Sequence, residues 1–139
     1  MFVLDTNVVS ALRKVRSGKA HSGVAAWAER VSSAELFISA ITIHELEHGV
    51  LLIERSDPVQ GAVLRAWLDK SVTATFKSRV LPVDEAVARC AAALHVPDPA
   101  PLRDALTGAT ALIHGMTVVT RDLKDFQRFD QLDVIDPWS

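Results

Sequence analysis

Four acidic residues stand where apolar segments of the chain end or where predicted helices begin. Asp5 follows the apolar run at residues 2–4, and Asp122 follows another apolar stretch. Glu45 and Asp104 each fall in the first turn of a predicted helix. Carboxylates held together raise one another's pKa values, and a divalent cation removes that repulsion. Oxygen ligands favour hard ions such as Mg²⁺ or Mn²⁺, which can activate water for attack on a phosphodiester.

The elements that must position these acids are short apolar strands that alternate with helices. Strands are predicted at residues 2–4, 36–40, 79–83, 116–120 and 133–135. Helices are predicted at residues 8–14, 24–31, 43–54, from 57 onward, 84–95 and 102–114. This alternation predicts an α/β fold in which a parallel sheet carries helices on both faces. Ligands of such sheets lie beyond the carboxyl ends of the strands, so the four acids are expected at one edge.

Cap and turn residues support these helix boundaries. Thr42 and Glu45 stand three residues apart, which is the pattern of a capping box. Asp84 is placed to cap the helix that follows it, and Gly115 is placed to end the helix at 102–114. The proline-rich stretch 96–101 predicts a loop.

Each acid also has a purely structural explanation. Asp5 can cap the first helix, and Glu45 can be the second half of the capping box. Asp104 can interact with the positive end of a helix dipole, and Asp122 can occupy a turn. The functional interpretation therefore depends on the four acids occurring together in this order.

The composition limits the class of protein. A chain of 139 residues, 49% of them apolar, fits one domain over residues 1–139 with a packed core. The net charge of −2 lacks the strongly basic balance of proteins that coat nucleic acid. Cys90 is the single cysteine, so no internal disulfide can form, and a reducing cytoplasm is expected. We expect neither a signal peptide nor a membrane-spanning segment.

Two basic segments offer local contacts to nucleic acid. The first contains Arg13, Lys14, Arg16 and Lys19. The second contains Arg121, Lys124 and Arg128. Such side chains can reach phosphates and compensate locally for the acidic balance of the whole chain. The alternative is that both segments are ordinary solvated faces.

Five segments, in this order, resemble PIN-domain nucleases. They are Leu4-Asp5-Thr6-Asn7-Val8, residues 39–46 (Ser-Ala-Ile-Thr-Ile-His-Glu-Leu) with Gly49, Asp104-Ala105-Leu106 with Ala109-Thr110-Ala111, Val119-Thr120-Arg121-Asp122 with Asp125-Phe126, and Asp136-Pro137-Trp138. The chain most resembles the VapC-like toxins of bacterial toxin–antitoxin pairs, from Val3 to Trp138. This resemblance implies a three-layer α/β/α sandwich with a central parallel sheet of about five strands.

The resemblance also implies a site and a reaction, namely a Mg²⁺- or Mn²⁺-dependent endoribonuclease. The catalytic, metal-binding acids would be Asp5, Glu45, Asp104 and Asp122, with Asp125 as a less central metal ligand. The residues that orient these carboxylates would be Thr6, Asn7 and Thr120. Hydrolysis of RNA by metal-activated water would leave a 5′-phosphate and a 3′-hydroxyl, and no nucleophilic side chain is needed.

The partners that the resemblance implies are a second copy of the chain and a cognate antitoxin. Such an antitoxin blocks the acidic site, often with an arginine. One departure lies at residues 96–103, where relatives commonly carry a loop of small residues. It leaves Asp104 in place, but the resemblance does not extend to substrate selection by this loop. An alternative is a catalytically weak PIN domain that acts as a binding partner in an operator-binding antitoxin complex. The four intact acids argue against that alternative.

A competing motif includes one of the acids. Residues 44–48, His-Glu-Leu-Glu-His, fit the zinc-protease pattern H-E-x-x-H, in which two histidines on one helical face bind zinc. Glu47 places a charge inside the motif, and the motif leaves the other four segments unexplained.

A third interpretation is a phosphoacceptor domain that uses Asp5. It lacks an acidic pair before the first strand and a lysine after a late strand.

Overall fold

Five short strands form one parallel sheet in the computed structural model, which describes residues 1–139. The strands are β1 (Phe2–Leu4), β2 (Leu36–Ser39), β3 (Val80–Leu81), β4 (Thr117–Val119) and β5 (Val134–Ile135). Their order across the sheet is β3-β2-β1-β4-β5, and every neighbouring pair is parallel. The predicted parallel sheet of about five strands is therefore confirmed.

Eight α-helices connect or follow these strands. They are α1 (Thr6–Val15), α2 (Ser22–Arg30), α3 (Ala40–Ser56), α4 (Pro58–Ala66), α5 (Thr73–Thr75), α6 (Glu85–Leu94), α7 (Leu102–His114) and α8 (Leu123–Gln127). A π-helical turn at Trp67–Val72 joins α4 to α5, and a 3₁₀ turn at Ser33–Glu35 leads into β2. No helix combines the length and hydropathy that a membrane crossing requires.

Successive residues of the central strands pack into two separate cores. Leu4 and Val119 belong to a buried cluster that includes residues of α1, α2 and α3. Their neighbours Val3 and Val118 belong to a second cluster, which includes residues of α7 and α8. Because side chains alternate across a strand, the two clusters lie on opposite faces of the sheet. The fold is therefore the expected α/β/α sandwich.

The chain reverses its direction across the sheet at β1. It adds β2 and β3 on one side of β1, and β4 and β5 on the other. The Asp5 amide donates to the Val119 carbonyl oxygen at 2.9 Å, which holds the ends of β1 and β4 together. Crevices at such points of reversal are the usual ligand sites of open parallel sheets.

The predicted capping box at Thr42 is wrong. Helix α3 begins at Ala40, and Ser39 caps it by accepting from the Ile41 amide at 3.2 Å. Ser39 keeps the extended backbone of β2, which is the conformation that an N-cap requires. Thr42 is buried inside the first turn of α3. Its three-residue spacing to Glu45 reflects a shared helical face rather than a cap.

Other predicted boundaries differ in smaller ways. Helix α2 begins at Ser22 rather than at Val24, because the His21 ring accepts from the Gly23 amide and caps it. The third strand is limited to Val80–Leu81. Asp84 caps α6 as expected, and Gly115 ends α7 with a left-handed φ of 66°.

Candidate active site

Asp5 is buried at the end of β1 and accepts hydrogen bonds from two sides. Its Oδ1 accepts from the Thr6 amide at 2.9 Å, so Asp5 caps α1. Its Oδ2 accepts from the Thr120 hydroxyl at 2.8 Å. Burial raises the pKa of the Asp5 carboxyl, the two hydrogen bonds oppose that rise, and the charges of Glu45 and Asp122 add to it. Asp5 therefore caps α1 and also belongs to a polar site.

Thr120 connects the ends of β1 and β4. Its fully buried hydroxyl donates to Asp5 and accepts from the Asp122 amide at 2.9 Å. One hydroxyl can make both bonds because it has one hydrogen and two lone pairs. This side chain therefore fixes the carboxylate of Asp5 and the backbone of Asp122 at once.

Asn7 makes a second connection between the same chain segments. Its Nδ2 donates to Asp122 Oδ2 at 3.1 Å, and its Oδ1 accepts from the Arg121 amide at 3.3 Å. Asn7 and Thr120 together hold Asp122 near Asp5, although residues 5 and 122 are far apart in sequence.

Glu45 reaches the site from the second turn of α3, rather than from the first turn that the sequence predicted, because α3 begins at Ala40. Its Oε1 accepts from the Thr6 hydroxyl at 2.7 Å, and Arg103 Nη1 lies 3.3 Å from its Oε2. The side chain of Glu45 is 18% exposed, whereas that of Arg103 is 66% exposed. Arg103 therefore covers the carboxylate from the solvent side.

Asp104 lies in the first turn of α7 and is 8% exposed. Its pKa is raised to about 6, first by burial and then by the charges of Asp5, Asp125 and Asp122. Arg103 opposes that rise. A carboxyl group whose pKa is raised by burial and by neighbouring acids is typical of a functional site.

These side chains line one polar cavity of about 260 Å³ at the carboxyl edge of the sheet. No apolar residue contributes to it. Its lining consists of Asp5, Thr6, Asn7, Glu45, Arg103, Asp104, Asp122 and Asp125. The structure thus brings together all five acids that the sequence singled out. Asp5 and Asp104 are buried, whereas Asp122 and Asp125 are exposed at the rim.

The PIN domain family matches residues 2–132 of the sequence. This chain belongs to the PIN domain family. It is 35% identical to Toxin FitB of Neisseria gonorrhoeae over 144 residues, which cover 99% of both proteins. It is 53% identical to Ribonuclease VapC14 of Mycobacterium tuberculosis over 75 residues, which cover 54% of this chain and 70% of that protein. The solved structure of FitAcB from Neisseria gonorrhoeae has a TM-score of 0.87, at 33% identity, over 99% of each chain.

The donors in the acidic cavity of this PIN domain suit a hydrated hard cation. They are carboxylate, amide and hydroxyl oxygens, which Mg²⁺ and Mn²⁺ prefer to softer ligands. No group of three or more His, Cys, Asp or Glu side chains is arranged to hold an ion by itself. Mg²⁺ commonly binds one or two protein carboxylates and keeps several waters, so the cavity fits such an ion better than it fits a dehydrated cation.

The basic residues named from the sequence lie outside this cavity. Arg13 and Arg16 line a separate cleft beside Trp67, and the Arg13 guanidinium lies 5.8 Å from the Trp67 ring centroid. Lys14, Lys19 and Lys124 are exposed on the surface. The guanidinium of Arg121 stacks 5.5 Å from the ring centroid of Trp138.

The cationic residue inside the cavity is Arg103, which the sequence analysis missed. The sequence indicated Arg103 only through its position directly before Asp104, at the start of a helix whose first turn faces the site.

The geometry does not support the zinc-protease motif. His44 and His48 are exposed on α3, with ring centroids 6.4 Å apart. No third His, Cys, Asp or Glu completes a metal-binding group with them. Glu45 instead accepts from Thr6 and lines the cavity that contains Asp5.

Proposed function

We propose that this PIN domain is an endoribonuclease that depends on Mg²⁺ or Mn²⁺. The observation that carries the proposal is the cavity that gathers Asp5, Glu45, Asp104 and Asp122 at the point where the sheet reverses its strand order. The similarity to a protein named as a ribonuclease, VapC14, supports the same reaction class.

The four acids would hold the cation, with Asp125 at the rim as a further ligand. When bound, such an ion supplies Lewis-acid stabilisation of phosphate oxygens and a water of lowered pKa. The protein contributes the placement of its carboxylates. Thr120 and Thr6 hold Asp5 and Glu45 by hydrogen bonds of 2.8 and 2.7 Å, and Asn7 holds Asp122 at 3.1 Å. Arg103 reduces the repulsion between Glu45 and the other acids, and it has free N–H groups that can face an RNA phosphate.

Cleavage of RNA by variants with neutral amides tests this proposal. Asp5→Asn and Asp104→Asn are expected to lower the cleavage rate at least about a hundredfold, since each removes a charge that would hold the cation. Asp84→Asn is the matched control, because Asp84 caps α6 outside the cavity and asparagine can also cap a helix. Chelation with EDTA should abolish cleavage, and added Mg²⁺ or Mn²⁺ should restore it. Cleavage that survives Asp5→Asn or EDTA would refute the proposal.

We also propose that the chain is the toxin of a toxin–antitoxin pair and forms a homodimer. Support comes from its similarity to Toxin FitB and to the solved FitAcB and FitAB structures. Expression of the chain alone should arrest growth, and co-expression with the product of an adjacent small gene should relieve the arrest. Light scattering of the purified chain should give twice the mass of one copy. If expression of the wild-type chain leaves growth unchanged, the toxin role is contradicted.

A second candidate function is that of a binding partner with little catalysis. The related FitAB structure, in which the complex is bound to an IR36 DNA fragment, favours this candidate. Mapping of cleavage sites in total cellular RNA distinguishes the two functions. Sites that appear with the wild type and disappear with Asp5→Asn support the nuclease. Unchanged RNA together with retained partner binding supports the binding role.

A further inference from the structure

A second cavity opens beside the acidic one. It measures about 490 Å³, which lies within the range of about 300–1,000 Å³ typical of ligand sites. One wall is formed by His44, His48 and Gly49 of α3, and the other by residues 101–103 at the start of α7. Glu45 and Arg103 line both cavities. We call this second cavity the histidine groove; it leads directly to the acidic site.

The wall that precedes α7 is held in place by the protein itself. Arg128 of the segment after α8 donates to the carbonyl oxygens of Asp98 and Pro99 at 2.6 and 3.0 Å. The Ala100 amide donates to His95 Nδ1 at 3.1 Å. These contacts fix the proline-rich loop at residues 96–101, so the groove is shaped before any ligand arrives. Such preorganisation reduces the cost of ordering a loop on binding.

The chemistry of the histidine groove suits a single-stranded polyanion. The rings of His44 and His48 are exposed on the same face of α3, and Arg103 is 66% exposed at the junction with the acidic site. Glu45 is the single carboxylate in its lining, and it already pairs with Arg103. Histidine rings and arginine planes are surfaces on which unpaired bases stack, and arginine also binds phosphate. A basic peptide would find no free carboxylate in this lining.

Gly49 leaves its part of the α3 wall open. A Cβ built at Gly49 would meet no atom within 4 Å, so the position points into free space rather than against a neighbouring element. A side chain added at this position therefore starts from open space at the lining of the groove.

We propose that the histidine groove holds the RNA nucleotides next to the scissile bond, with His44 and His48 as positioning residues. This inference rests on the proposed ribonuclease function. It assigns the path of the strand to the α3–α7 side of the site, away from the basic residues of α1. The groove receives unpaired nucleotides, and Arg103 lies between the groove and the acidic cavity.

Two substitutions of opposite charge at Gly49 test the occupant of the groove. Gly49→Glu and Gly49→Lys have similar lengths and helix propensities. Binding of a short fluorescein-labelled single-stranded RNA is measured by anisotropy in EDTA and at low salt, so that cleavage does not interfere. The glutamate variant should bind RNA about tenfold more weakly than the lysine variant. The same pair of changes at Ala26, an exposed position on α2, is the control and should give a much smaller difference.

The histidines are tested by the His44→Ala/His48→Ala double variant. It should bind the same RNA about fivefold to tenfold more weakly and raise KM more than it lowers kcat. The exposed His114, at the end of α7, provides the control substitution His114→Ala, which should leave the RNA affinity, KM and kcat unchanged.

The outcomes separate the two proposals. Equal RNA affinity for both Gly49 variants, or an order opposite to the expected one, overturns the groove assignment even if the wild type cleaves RNA. The opposite order would indicate a basic peptide as occupant. A wild type that fails to cleave RNA but shows the charge dependence at Gly49 would refute the nuclease proposal and support the groove as an RNA-binding surface only.

Discussion

At the scale of single residues, the electrostatics of the acidic cavity centre on Asp104. Its pKa is raised from about 3.8 to about 6, with burial as the largest cause. Between these two pH values the folded protein binds a proton that the unfolded chain has already released. The contribution of Asp104 to stability is therefore fully present below pH 3.8 and is lost as the pH rises through about 6.

Asp104→Asn is consequently expected to stabilise the metal-free protein at pH 7. The amide keeps the shape of the side chain and removes a charge from a crowded site. Because the cavity is open to solvent at its rim, screening limits the gain to about 1 kcal/mol. Thermal unfolding in EDTA should show a higher Tm for the variant at pH 7 and a smaller difference near pH 4. The exposed Asp130 supplies the control Asp130→Asn, which should change Tm little. An unchanged or lower Tm for Asp104→Asn at pH 7 contradicts this account.

The buried hydroxyl of Thr120 leads to a second prediction at this scale. Thr120→Val keeps the shape of the side chain but removes the bonds to Asp5 and to the Asp122 amide. Loss of both partners in a buried position should cost about 1–3 kcal/mol in the free energy of unfolding. The cleavage rate should also fall, because Asp5 and Asp122 lose their common anchor. Urea unfolding and RNA cleavage measure the two effects.

Thr120→Ser is the control for this prediction. Serine retains the hydroxyl and loses a methyl group, so stability should decrease modestly while most cleavage activity remains. If the valine and serine variants were equally active, the hydroxyl would have no role in positioning the acids.

At the scale of elements, α3 and α4 approach each other closely at Gly61. A Cβ at this buried glycine would lie 2.5 Å from Glu54 Cα and 2.9 Å from the Glu54 backbone nitrogen. Arg65 of α4 donates to Glu47 and Glu54 of α3, at 2.9 and 3.1 Å, and fastens the two helices beside this contact. The position of Glu45 depends on α3, so the packing of α4 supports the site indirectly.

Opposite effects are therefore expected for the same substitution at two glycines. Gly61→Ala should destabilise the protein by about 2 kcal/mol, because backbone atoms of α3 cannot give way easily. Gly49→Ala, in the same helical hairpin, should stabilise it by up to about 1 kcal/mol, because the added methyl meets nothing and alanine favours the helix. Denaturant unfolding of the two variants provides the measurement, and each serves as the control of the other. Equal effects of the two substitutions would be inconsistent with the close approach at Gly61.

At the scale of the whole molecule, the acidic cavity exists because the topology brings distant segments to one edge. Its carboxylates come from the end of β1, from α3 and α7, and from the segment after β4 that includes α8. Their mutual repulsion opposes folding, and a bound cation would offset it. Ligands that bind only the folded state raise its stability by mass action.

Addition of Mn²⁺ or Mg²⁺ should therefore raise the Tm of the wild type by a few degrees at saturating concentration. Asp5→Asn and Asp104→Asn should reduce that rise, and Asp84→Asn should leave it intact. Differential scanning fluorimetry at constant ionic strength measures the effect, and potassium chloride controls for general screening. A rise of the same size in all variants would place the cation elsewhere.

The sequence by itself determined the fold class and most of the site. The alternation of apolar strands with helices predicted the parallel sheet, since strands that helices cover on both faces are continuous apolar runs and each helix has one apolar face. Asp5, Asp104 and Asp122 were identifiable because each follows a strand or begins a helix, and the order of strands then brings them together. The cap at Asp84 and the end of α7 at Gly115 were also predictable, because both depend on local backbone geometry.

Only the tertiary structure decided the roles of residues whose partners are distant in sequence. The sequence placed Thr42 in a capping box with Glu45, but β2 extends to Ser39, which caps α3, and the partner of Glu45 is the distant Thr6. The pairing of Arg103 with Glu45, and the separation of Arg13 from the acids, likewise depend on the packing of α1, α3 and α7. The acidic cluster that opens with Asp5 was thus predictable from local patterns, whereas its hydrogen bonds and the groove beside it required the three-dimensional arrangement.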